Sequence, residues 1–481
     1  MGVASEALLS RLCQRSFLSL WSYPNPYNDK GLDKRKEGKE LSDLLVIFGN
    51  DVIIFSDKSC TYPNTGDPEL DWKRWYKRAV EDSVDQIMGA ERWLKDHPER
   101  TFADNRCTVP LDVQIPPREH IRIHRVAVAL GARLRCQDHF GGGRGSLPIR
   151  SGGLQGDRRD LFTLGGEGGS RGFVHVFDDV GLNVVLRELD TISDFVEYLR
   201  KKEDLFTNHP VIATGEEDLL AHYLLTMDGG EHGFLPRDDG DDGEENEDGD
   251  GRLRALFVDE SSFPALLELP QYAESKRANE ISYAWDGLIE HFTKYFRNKE
   301  LVDGVPADDF ERALRVMASQ NRVVRRQLGQ MLVSALQTAD RGRARYISVI
   351  DQSTDGALAY AVVCLSYKGD IPYETYRERR RALLELYARS LRVRVDTVRQ
   401  VLAIGVQPSS DRGSSEDLAL IELPAWTPEL HAKTLDDMNL FGLGAPPRHF
   451  REQEFPTAPR HRGSKEAERR RKQMERQHRK Q

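Results

Sequence analysis

Three side chains early in the chain, Asp43, Ser56 and Lys58, are spaced so that a carboxylate, a hydroxyl and an amine can share one surface. An acid and a lysine on neighbouring strands suit metal-dependent phosphodiester cleavage. Carboxylates hold a divalent cation, which polarises the phosphate and lowers the pKa of a bound water. The lysine then positions that water or stabilises the charge developing on phosphorus.

The backbone between these residues decides whether they meet. Leu44-Leu45-Val46-Ile47-Phe48 and Val52-Ile53-Ile54-Phe55 are nearly continuous apolar runs, as expected of strands covered on both faces. Gly49-Asn50-Asp51 supplies residues that tolerate the positive φ of a two-residue hairpin turn. A Gly49-Asn50 turn sets Asp43 opposite Ser56, and an Asn50-Asp51 turn sets it opposite Lys58. Side chains alternate along a strand, so either turn places Asp43, Ser56 and Lys58 on one face and Asp57 on the other. Only a three-residue turn or a bulge would bring Asp57 round to Asp43.

This order of acid, apolar strand, turn, apolar strand and (D/E)-x-K resembles the PD-(D/E)XK nuclease superfamily, most closely its nuclease-related (NERD) branch. Asp43 matches the first acid and Lys58 the lysine, while Ser56 stands at the (D/E) position. Serine is a poor Mg²⁺ ligand, so one expected carboxylate is missing or has migrated, with Glu40 and Asp57 the nearest replacements. The resemblance covers roughly the first hundred residues and implies an α/β (α+β) fold. Its N-terminal unit would be a restriction-endonuclease-like mixed sheet flanked by helices. It implies Mg²⁺ or Mn²⁺ as cofactor, held by Asp43 with Glu40, Asp57 or Glu6. Glu6 would lie on an opening helix, and Gln86, on the helix after the lysine strand, would face the site beside Asp43 and Lys58. The function implied is hydrolysis of phosphodiester bonds in nucleic acid, DNA favoured, in genome defence or repair. The alternative is a non-catalytic nucleic-acid-binding or scaffold protein that keeps the nuclease fold after losing the acid at Ser56.

Each candidate has an ordinary structural explanation as well. Asp43 and Lys58 fit the rim of a buried hairpin, and Glu6 fits a first-turn glutamate favoured by the helix dipole. A helix over 71–95 carries Lys73, Arg74, Lys77 and Arg78, which suit phosphate contacts or a solvated face. The net charge of −9 hides a contrast: 238–250 carries nine acids and no base, whereas 460–481 carries ten Lys/Arg against three acids. Arg469, Arg470, Arg471 and Lys472 make that tail the sequence-independent nucleic-acid contact. The acidic run reads as a disordered linker.

With 481 residues, 39% hydrophobic and 31% charged, the chain is expected to fold as two or three domains. No run is long and apolar enough to span a bilayer, and the start lacks the pattern of a secretory signal. Five scattered cysteines read as reduced thiols in a cytoplasmic protein. The expected layout is a nuclease-like domain over 1–107 and a β-rich then helical extension over 108–227. The acidic linker over 228–252 follows, then an α/β module over 253–426 and coil with a basic tail over 427–481. Within the extension, 109–115, 121–130 and 173–177 read as strands, 180–206 as helix, and Thr214-Gly-Glu-Glu217 as a capping box.

Overall fold

The computed structural model describes residues 2–151, 160–165, 167–228, 231–235, 255–300, 306–337, 344–351, 354–408, 415–423, 425–443 and 454. The architecture is mixed α/β, with the candidate site on a five-stranded sheet. Its strands, Ser22–Pro24, Leu44–Phe48, Asp51–Ser59, Arg122–Leu130 and His175–Phe177, lie side by side in chain order. Leu44–Phe48 runs antiparallel to both neighbours, and the strands from Asp51–Ser59 onward are parallel.

The apolar runs fold this way because both faces of the sheet are covered. Val52 to Asp57 are all buried. On one face Phe55 meets Phe17 of the opening helix Gly2–Phe17 and Phe195 of the helix Ile192–Asn208, with ring centroids 6.3 and 6.2 Å away. On the other face lies a long helical run that begins at Pro68 and ends at Asp96. Asp67 caps its start by accepting the N–H groups of Glu69 and Leu70, with Pro68 at the first position, where a missing N–H costs nothing. A π-helical turn, Lys77–Glu81, interrupts the run and buries Ala79 and Val80.

Several sequence expectations are corrected. The sheet also takes strands from Arg122–Leu130 and His175–Phe177, so it continues past residue 107 into the extension expected over 108–227. The stretch 109–115 forms no strand; Pro110 cannot donate to a ladder, and Pro116 and Pro117 follow. The helix expected over 180–206 is two, Gly181–Glu188 and Ile192–Asn208, the second capped by the Thr191 side chain. The coil expected from 427 onward instead begins with a helix, Pro428–Phe441, whose cap is Thr427.

The C-terminal half contains the α/β module the sequence predicts. Arg345–Ile350, Leu358–Cys364, Gln400–Val406 and Asp417–Glu422 form a four-stranded sheet, with the helix Tyr373–Arg394 packed on it. Helices Tyr283–Arg297, Ala307–Ala318 and Arg322–Gln337 join the halves through one hydrophobic core that runs from Leu9 to Val406. Among them a sealed charge network forms. Arg322 binds Asp190 and Asp286 at 2.8 and 2.7 Å, and Arg325 binds Asp286 at 2.8 Å.

Candidate functional site

The hairpin turns at Gly49-Asn50. Phe48 pairs with Asp51, and Gly49 has φ +60°, the positive φ that a type II′ turn requires at its first central residue. The Asp43 N–H donates to the Phe55 carbonyl at 3.1 Å, so Asp43 stands opposite Ser56. The Asp43 carboxylate lies 3.7 Å from Lys58 Nζ, with side-chain exposures of 6% and 32%. Its Oδ2 also accepts the Asp57 backbone N–H at 2.7 Å. Asp43 therefore closes the open end of the hairpin as well as pairing with the lysine.

The hydroxyl at the expected acid position is committed elsewhere. Ser56 is fully buried, and its Oγ donates to Gln86 Oε1 at 2.9 Å. The structure thus brings Asp43, Ser56, Lys58 and Gln86 together, but on a face that does not include Asp57, which is buried on the opposite side of its strand. Glu40 is exposed in a separate small sheet where Lys39–Glu40 pairs with Tyr27–Asn28. Glu6 belongs to the opening helix, and its side chain lies outside the described residues. Arg469, Arg470, Arg471 and Lys472, with the rest of the tail and the run 238–250, lie outside them too.

Divalent cations of the Mg²⁺ type require several oxygen ligands and near-octahedral geometry. Among the described residues no group of three or more His, Cys, Asp or Glu side chains is placed to hold a metal ion. One face of the hairpin offers a single carboxylate, already engaged by an amide and an amine. Among the described residues these donors do not make up a Mg²⁺ or Mn²⁺ site.

The basic residues of the long helix divide into two directions. Arg78 reaches the strand's exit loop, where Nη2 donates to the Thr61 carbonyl at 3.1 Å, and its Nε contacts the Arg74 carbonyl at 3.4 Å. Lys73 and Lys77 instead line a cleft of about 1250 Å³ on the other flank of the helix, with Trp72, Tyr76 and Glu167. Around the exit loop, burial pushes the Cys60 thiol up, Arg78 and Lys58 pull it down, and Asp82 and Asp57 push it further up. Asp82, one helical turn before Gln86, therefore acts electrostatically on the exit loop.

Sequence reasoning missed Asp82 and the helix Arg133–Phe140, which follows the neighbouring parallel strand. Arg133-Leu134-Arg135, two residues past the glycine that follows the strand, was the available signal. The capping box is also corrected: the cap residue is Gly215, with no side-chain cap bond. The Thr214 hydroxyl donates to Asp218 at 2.9 Å, and Glu217 accepts from Arg144 at 2.7 Å and from the Ser146 hydroxyl. Beside that pair, burial and the Glu217 charge push Asp178 up to about 7. No protein-family model matches the chain, and the curated proteins and the solved structures likewise contain no significant match.

Proposed function

We propose that this chain is a nucleic-acid-binding protein built on a nuclease-like sheet, and that its hairpin binds phosphate without metal-assisted cleavage. The observation that carries this reading is Ser56: it occupies the acid position and is buried against Gln86. Lys58 remains one-third exposed at the rim, with Arg78 nearby, so cationic groups are available to a phosphate backbone. Arg74 and Arg78 make no ion pair with a carboxylate among the described residues, which leaves them available for the same role.

The Asp43–Lys58 pair favours a second reading, a Mg²⁺-dependent phosphodiesterase acting on DNA. That reading needs further carboxylates to join Asp43 on its face.

Fluorescence anisotropy with a labelled oligonucleotide, in EDTA and again in Mg²⁺, distinguishes the two. The binding reading expects equal affinity in both and a steep loss with salt. Binding only when Mg²⁺ is present would favour the phosphodiesterase, and no binding in either buffer would end both readings.

A further inference from the structure

We infer that the surface beyond Lys58, formed by the exit loop 60–62 and the helix Arg133–Phe140, is a binding face for unpaired nucleotides. This deepens the nucleic-acid reading above and rests on it. Ligands of parallel-strand sheets gather outside the carboxyl ends of the strands, and two such ends meet here. Lys58 is in register with Ala129 and Ser59 with Leu130, and the Cys60 N–H donates to the Leu130 carbonyl at 3.1 Å. The chain then turns at Gly131, with φ +106°, where an added Cβ would lie 2.0 Å from the Cys60 carbonyl oxygen. That close approach sets the helix directly against the exit loop.

Both flanks of the loop carry an arginine. Arg78 holds the Thr61 carbonyl from one side. On the other, the helix Arg133–Phe140 carries Arg135, whose charge lowers the Tyr62 phenol that burial and the Asp71 charge push up to about 12. Several arginines of this half are matched by carboxylates: Arg122 with Asp51, Arg125 with Glu91, Arg171 with Asp85. On this helix the Arg133 Nε donates to the Arg144 carbonyl at 3.0 Å, and among the described residues Arg135 makes only a long, solvent-exposed ion pair with Asp138 at 3.8 Å. Phosphates would complete these charges.

The same helix exposes apolar surface. Leu134 is 73% exposed and Phe140 55%. Phe140 is the outer member of an aromatic stack. It stands edge-on to His139 at 4.8 Å, His139 lies 5.1 Å from Phe162, and Phe162 stacks on Tyr62 at 5.7 Å. A ring held this way is pre-organised to stack a base, and base–aromatic stacking between cationic groups is how single strands are gripped. A duplex hides its base faces, and two exposed apolar side chains fall far short of the roughly 800 Å² per partner of a stable protein interface.

The test compares a labelled single-stranded oligonucleotide with a blunt duplex of the same sequence, by anisotropy, on the full chain. The wild type should prefer the single strand. The double variant Leu134→Ala/Phe140→Ala should lose roughly tenfold for the single strand and keep its duplex affinity. The double variant Arg78→Gln/Arg135→Gln should weaken both and lower the salt slope by about 2; it also decides the matter should the first variant fail to fold. Single-strand binding unchanged in both variants would overturn this inference and leave the nucleic-acid reading standing. Equal loss for single strand and duplex in the apolar variant would also overturn it. A wild type that binds neither would overturn both.

Discussion

The hairpin rim and the buried charge clusters use the same residue types for opposite purposes. At the rim, Lys58 is 32% exposed beside an Asp43 that is 6% exposed. In the helical junction, Arg325 is 1% exposed and its partner Asp286 12%. Both pairs are close, yet only the first has a cation that a ligand can reach. Asp286 is gripped by two arginines, a closed network with no capacity left for a ligand. Proximity of opposite charges therefore does not by itself mark a site; a ligand also needs a cation that it can reach.

The largest expected effect lies in the sealed network. Asp286→Ala would leave Arg322 and Arg325 buried without their shared partner, so urea denaturation should show a loss of about 3–5 kcal/mol. A loss below about 1 kcal/mol would mean that the network behaves like a surface pair and would erase the contrast.

The sealed acid pair Asp178 and Glu217 gives the contrast a pH signature. Asp178 rises from 3.8 to about 7 through burial first and the Glu217 charge second. Its folded-state pKa exceeds its unfolded value, so the folded chain holds a proton that the unfolded chain has released. Stability from this group is fully present below about 4 and is lost as pH rises through about 7. Melting temperature should fall between pH 5 and pH 8, with a shallower fall in Glu217→Gln. A slope unchanged by Glu217→Gln would assign the pH response to other groups.

At the rim the effects should be smaller and unequal. Asp43→Ala removes the acceptor of the buried Asp57 N–H, at a cost of about 1–3 kcal/mol. Lys58→Ala, at a one-third-exposed position, should cost less than about 1 kcal/mol while weakening oligonucleotide binding. Equal stability losses in the two variants would make Lys58 a structural partner and remove it from the proposed interface.

The separation of contacts along the chain explains what could be read in advance. Asp43 and Lys58 sit on adjacent strands joined by a two-residue turn, so parity alone placed them on one face. The α/β class of the C-terminal module was legible because its apolar periodicities are strong and local. The Arg322–Asp190 bond spans 132 positions, and no local pattern announces it. The commitment of Ser56 to Gln86 depends on how a helix 30 positions away crosses the sheet. Glu217 reads as a helix cap because its spacing fits one; tertiary contact with Arg144 and Ser146 overrides that local preference. The helix Arg133–Phe140 was hidden by brevity and by the glycine-rich run after it.

The central claim is that the hairpin holds nucleic acid without cutting it. The most direct test incubates wild type, Asp43→Asn and Lys58→Ala with labelled DNA and RNA, single- and double-stranded, in Mg²⁺ and in Mn²⁺, and resolves the products by length. The account predicts intact nucleic acid in every lane. Metal-dependent cleavage by the wild type that disappears in both variants would contradict it and restore the phosphodiesterase reading.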